Sequence, residues 1–138
     1  LASRVDEYTG TTRFRRGSLE VVPQPSRTYT TAERLKFYYE IYNLVQDSFG
    51  ATRYKVTTSI VAVGSRLRGV GALRRARRQE AAATVEQSGS SPMERSYLEV
   101  DLETARPGMN RLILVVEDLN GNAVTEKEAV FRLEKAKN

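Results

Sequence analysis

Residues Thr30 to Val45 read TTAERLKFYYEIYNLV, and two foldings of this stretch lead to different fold classes. As a helix it would begin at Thr30, with Glu33 at the spacing of a capping box, and would align Leu35, Tyr38, Tyr39 and Tyr42 at i, i+3, i+4 and i+7. As a strand from Arg34 to Leu44 it would turn Leu35, Phe37, Tyr39 and Ile41 toward a core and Tyr38 and Tyr42 outward. The strand is favoured, because Phe37, Tyr38, Tyr39, Ile41 and Tyr42 crowd into six residues. Aromatic and β-branched side chains fit a pleated surface and lose rotamer freedom on a helix. Gly50 then stands at hairpin distance from Tyr54.

The rest of the chain keeps the same two-residue beat. In Tyr97 to Glu103, Leu98, Val100 and Leu102 alternate with Glu99, Asp101 and Glu103. Arg53 to Val63 puts Tyr54, Val56, Thr58, Ile60 and Ala62 on one face and Lys55, Thr57 and Ser59 on the other. Leu112, Leu114 and Val116 repeat the pattern, as do Ala129, Phe131 and Leu133, and Leu19 to Val22 is a shorter candidate ended by Pro23 and Pro25. Asn120-Gly121 predicts a tight hairpin between Leu112–Asp118 and Ala123–Leu133, with the pair supplying positive φ. Pro107-Gly108 predicts a type II turn with Gly108 in the left-handed position. About seven or eight short strands result, an all-β chain of the two-sheet sandwich class. Ala72 to Ala83 (ALRRARRQEAAA) is rich in helix formers, so residues 64–92 read as an Arg-rich helical or disordered insertion followed by a flexible Ser88–Pro92 loop.

The 138 residues suit one domain with a single core. The chain has no Cys and no His. Thiol nucleophiles, disulfides, thiolate metal sites and the commonest general base are therefore all missing, and no Ser lies in a G-x-S-x-G turn. No apolar run approaches the roughly 20 residues that cross a bilayer as a helix. A start at Leu1, without Met or a leader, is expected of a piece of a longer protein. No catalytic residue and no cofactor is expected.

Charge is unevenly placed. The net charge is +5, and the 17 residues from Gly64 to Glu80, with six Arg against one Glu, hold all of it. Arg66, Arg68, Arg74, Arg75, Arg77 and Arg78 are candidate contacts to a polyanion, either nucleic acid or an anionic membrane, through salt-sensitive phosphate pairing. No aromatic residue in the segment is available to stack on bases. A solvated insertion accounts for the same charges.

A resemblance enters through Leu35-Lys-Phe-Tyr-Tyr-Glu-Ile-Tyr-Asn-Leu44, Gly50, Tyr54-Lys-Val56, Pro107-Gly108, Leu112 to Asp118 and Gly121. Together with Leu1-Ala2 and Tyr29, these resemble the C-terminal region of bacterial GWxTD-domain proteins, over about residues 1–60 and 97–133. The resemblance implies an immunoglobulin-like sandwich, an extracytoplasmic location (periplasmic or secreted), and a GWxTD module upstream of Leu1. It brings no catalytic residues. Asn110 stands where many such sandwiches place a tyrosine.

Outward Tyr38 and Tyr42, with Lys36 and Glu40 between, are the candidate contacts to a protein partner or to the upstream domain, with sugar stacking as a further option. Asp118-Leu-Asn120-Gly-Asn122 has the oxygen content of a calcium loop but not its spacing, since position 12 is Ala129. Glu99, Asp101 and Glu103 fall on one exposed face, where carboxylates serve solubility. The expected function is therefore that of a non-catalytic accessory or interaction module, with polyanion binding and carbohydrate binding as alternatives.

Overall fold

The computed structural model describes residues 1–7, 15–16, 19–23, 25–63 and 82–137. Within them the chain forms ten strands and no helix: β1 (Ala2–Glu7), β2 (Arg15–Arg16), β3 (Leu19–Pro23), β4 (Thr28–Thr30), β5 (Arg34–Ile41), β6 (Thr52–Ala62), β7 (Ala82–Gly89), β8 (Glu94–Asp101), β9 (Gly108–Asp118) and β10 (Val124–Glu134). One sheet has the order β2-β3-β1-β5-β8 and the other β4-β10-β9-β6-β7. All the pairings are antiparallel except that of β4 with β10.

The decisive stretch is a strand. In β5 Leu35, Phe37 and Tyr39 are buried, while Lys36, Tyr38 and Glu40 are only partly covered. The capping-box residues are used, but for a turn: the Glu33 N–H donates to the Thr30 carbonyl at 3.0 Å and the Glu33 carboxylate accepts the Thr30 N–H. Reciprocal bonding closes the corner from β4 into β5 without starting a helix, because the aromatic residues that follow gain more from the two-sided core. That core is one cluster drawn from both sheets, with Leu35, Phe37, Tyr39 and Val100 from one and Tyr54, Val56, Ile60, Leu112, Phe131 and Leu133 from the other. Tyr29 stands edge-on to Phe131, ring centroids 5.9 Å apart, and its hydroxyl donates to the Ala2 carbonyl. Burial, with help from Glu33 and against Arg27, pushes the Tyr29 phenol up to about 12.

Several expectations need correction. The sequence reading missed the edge strand β7, which pairs with β6 from Thr52↔Gly89 to Ser59↔Ala82. Ala82 and Ala83 are therefore strand and not helix, and Ser88 and Gly89 close a strand where a flexible loop was expected. Backbone pairing to an ordered neighbour overrides the weak intrinsic preference of Ala and Ser here. Residues 64–81, the Arg-rich part of the expected insertion, lie outside the described residues. Gly50 does not close a hairpin, since β5 and β6 belong to different sheets and the segment between them crosses from one to the other. Ser59 and Val61 are buried on the face expected to be wet.

The β9–β10 hairpin has the expected pairing, from Val124↔Glu117 to Leu133↔Gly108, but a different turn. Asp118 N–H donates to the Ala123 carbonyl and Asn122 N–H to the Asp118 carbonyl, so four residues, not two, form the loop. Positive φ falls on Asn122 (58°). Gly121 is required for another reason: a Cβ there would stand 2.6 Å from Val45 Cγ2 and 2.8 Å from Asp118 Oδ2. At the other end Gly108 takes φ of 124°, the positive value expected after Pro107.

Candidate functional site

The register of β5 against β8 decides which side chains share the outer face. Lys36 lies opposite Glu99, Tyr38 opposite Tyr97, and Glu40 opposite Arg95. Lys36 Nζ reaches Glu99 Oε1 at 3.1 Å, and Arg34 reaches Oε2 of the same carboxylate at 3.7 Å. Two rungs further, Arg95 Nε lies 3.4 Å from Glu40 Oε1. The hydroxyls of both Tyr38 and Tyr42 donate to the Glu40 carboxylate, one to each oxygen. These two phenol bonds, more than Arg95, hold Glu40 below the ordinary carboxylate range, and the same bond is the main reason the Tyr42 phenol is raised.

The structure thus brings Tyr38 and Tyr42 together through Glu40. It adds Tyr97 and Arg95, which the sequence reading did not single out. Their signal was available in the outward parity of Tyr97, but only the pairing register shows that Tyr97 faces Tyr38. Tyr42 is 58% exposed and Tyr97 37%. Tyrosines whose hydroxyls are already held present an aromatic face with little rotamer entropy left to lose on contact. Arg66, Arg68, Arg74, Arg75, Arg77 and Arg78 lie outside the described residues.

Beside β5 a cleft of about 490 Å³ opens between the two sheets, and Tyr38, Glu40 and Tyr42 also border it. Phe37, Ile41 and Leu44 line one wall, Leu112, Leu114 and Val116 of β9 the other, and Thr125, Lys127 and Ala129 of β10 the rim. Its lining is mainly apolar, with Glu40, Asp118, Lys127 and Glu128 also at its border.

Asp118 is spent on architecture. Its carboxylate accepts the N–H groups of Val45 (2.9 Å), Asn120 (3.0 Å) and Gly121 (3.1 Å). Burial pushes this carboxyl up, but the three backbone donors outweigh it and leave it below its usual range. Asn120 completes the clasp, its Nδ2 donating to the carbonyls of Val45 and Ala51. The oxygen-rich turn therefore ties the β5–β6 connection to the β9–β10 turn, and among the described residues no group of three or more acidic side chains is arranged to hold a metal. Beside it Asp47 Oδ1 accepts the N–H of Phe49 and of Ala51, fixing a loop whose Phe49 ring is 94% exposed.

Glu99 is occupied by Arg34 and Lys36, and Asp101 Oδ1 accepts the Glu103 N–H at 2.8 Å. Gln87 Oε1 accepts the hydroxyl of Tyr54 at 2.7 Å and of Tyr39 at 3.5 Å, so an edge-strand amide joins tyrosines of both sheets. In comparisons with known proteins, the chain matches no protein-family model and no curated sequence.

Proposed function

We propose that this chain is a non-catalytic, immunoglobulin-like two-sheet sandwich that serves as an accessory or interaction module of a larger, extracytoplasmic bacterial protein. The strand order supports the sandwich. If β1, β5, β6, β7, β8, β9 and β10 take the letters A, B, C, C′, E, F and G, an A-B-E sheet shares its core with a G-F-C-C′ sheet. Asn110 does the work of the corner tyrosine: it is buried and its Nδ2 donates to the carbonyls of Arg106 (2.9 Å) and Gly108 (3.1 Å), pinning the turn that enters β9. The resemblance to the C-terminal region of GWxTD-domain proteins is consistent with this order and is the basis for the location and for the upstream module.

The observation that carries the interaction role is the outward tyrosine group, Tyr38, Tyr42 and Tyr97, set around the Glu40–Arg95 pair. A photo-reactive phenylalanine analogue in place of Tyr38 or Tyr42 tests it in the full-length protein, with the same probe at Glu126 on the opposite sheet as control. One defined polypeptide, cross-linked from positions 38 and 42 and not from 126, is the expected result. Equal labelling from all three positions overturns the role.

The second reading rests on the placement of the whole net charge between Gly64 and Glu80. A polyanion bound there is released by salt, and replacing Arg74, Arg75, Arg77 and Arg78 together by Ala removes heparin and DNA binding. Unchanged heparin affinity in that variant ends this reading.

A further inference from the structure

Asn120 is the one asparagine of the chain that is followed by glycine. Asparagine is a thermolabile residue, because the backbone nitrogen of the next residue can attack its side-chain carbonyl carbon. Glycine, without a Cβ, leaves that approach unhindered and gives the backbone the freedom that ring closure requires. The pair lies in the β9–β10 turn, where Gly121 is exposed and Asn120 only partly covered, so water reaches both.

In the folded turn each reacting group is held by a partner. The Gly121 N–H donates to Asp118 Oδ1 at 3.1 Å. Nδ2 of Asn120 donates to the carbonyls of Val45 at 2.9 Å and Ala51 at 3.0 Å, and rotation of that side chain gives up both bonds. Attack needs the Gly121 nitrogen without its proton, and a carboxylate in contact with the N–H opposes that loss, since like charges would then meet. Despite burial, the backbone donors hold the Asp118 carboxyl below its usual range, so it is ionised at neutral pH.

We propose that Asn120 is a modification site, a latent point of deamidation that Asp118 guards in the folded domain. In the reaction the Gly121 nitrogen bonds to Cγ of Asn120 and the bond from Cγ to Nδ2 breaks. The proton of the Gly121 nitrogen leaves with the Nδ2 amino group as ammonia. Water then opens the cyclic imide at either carbonyl and leaves aspartate or, with the backbone rerouted through the side chain, isoaspartate. Neither product keeps the Nδ2 donor that bonds Val45 and Ala51, so the tie between the β5–β6 connection and the hairpin turn is lost. A transient opening of the clasp thus exposes the site, and the modification makes the opening permanent. This site is independent of the tyrosine face, and each stands if the other fails.

Peptide mapping by mass spectrometry tests it, on folded protein and on a capped synthetic peptide spanning Asp118 to Val124, both incubated at mildly alkaline pH. Asn120 in the folded wild type should convert at least about tenfold more slowly than in the peptide, and Asp118→Ala should remove most of that difference. Asp118→Asn, which keeps the shape and loses the charge, should also convert faster than wild type. Val100→Ala trims the core in the other sheet and should leave the rate close to that of wild type. In Asn120→Asp, which is one of the two products, the Val45 amide that Asp118 accepts at 2.9 Å should exchange its hydrogen faster. Conversion of folded wild type as fast as the peptide would overturn the proposal. So would folded Asp118 variants no faster than wild type, acceleration by Val100→Ala equal to that by Asp118→Ala, or unchanged Val45 exchange in Asn120→Asp.

Discussion

The two halves of β10 have the same backbone geometry and the same inward parity, yet opposite surroundings. Phe131 and Leu133 are each 1% exposed, locked under Tyr29 and Leu35, while Thr125 and Lys127 on the same face stand in solvent. The strand itself is not the difference. At the closed half β4 lies alongside, Leu133↔Tyr29, and brings a tyrosine into the core. At the hairpin half nothing among the described residues fills the space between β5 and β9. A two-sheet core closes only as far as a strand is present to close it, and side-chain choice along β10 follows that limit.

The largest expected effect sits in the closed half. Phe131→Ala should cost about 3–5 kcal/mol in urea denaturation, whereas Lys127→Ala should stay within about 0.5 kcal/mol. Equal costs would erase the contrast between the halves.

Much of this contrast was legible in the chain. The inward positions of β10 run Thr125, Lys127, Ala129, Phe131, Leu133, a gradient from polar to apolar that predicts where burial stops. Alternation likewise gave β5, β6, β8 and the hairpin pairing, because one buried face imposes a period of two on residue choice. β7 was not legible, since an edge strand rich in Ala, Ser and Gly carries little pattern and is specified mainly by β6 beside it. Of the candidate site, Tyr38 and Tyr42 could be read from parity, but Tyr97 and Arg95 depend on register. The Asn120-Gly121 signal marked the right turn for a different reason: Gly121 is needed for close approach, and the left-handed residue is Asn122.

The clasp at the hairpin turn comes next in size. Asp118→Ala removes a carboxylate that three backbone N–H groups use, and should cost about 2–4 kcal/mol, read from thermal or urea unfolding. Because the Asp118 pKa is lowered in the folded state, its contribution is fully present above its unfolded value and is lost as pH falls through the lower folded value. Wild-type stability should therefore drop on acidification below about pH 4. That drop should flatten in Asp118→Asn, and a drop of undiminished size in this variant would show that the clasp does not carry it.

Smaller effects separate the two glycine-like positions of that turn. Gly121→Ala should destabilise by about 1–3 kcal/mol, because the added methyl group meets Asp118 and Val45. Asn122→Gly should be neutral or stabilising by up to about 1 kcal/mol, since Gly takes positive φ freely. A reversed order would place the left-handed residue at the wrong position. Smallest is Tyr54→Phe, which deletes the hydroxyl bond to Gln87 and should cost about 1 kcal/mol while leaving the fold intact.

The absence of Cys permits a direct test of the half-open core. Lys127→Cys and Leu133→Cys place single thiols on one face of one strand, and their rates of modification by a small maleimide can be compared under native conditions. Cys at 127 should react nearly as fast as in the unfolded chain, and Cys at 133 only as fast as the domain unfolds. Equal protection of both thiols would contradict the open hairpin half.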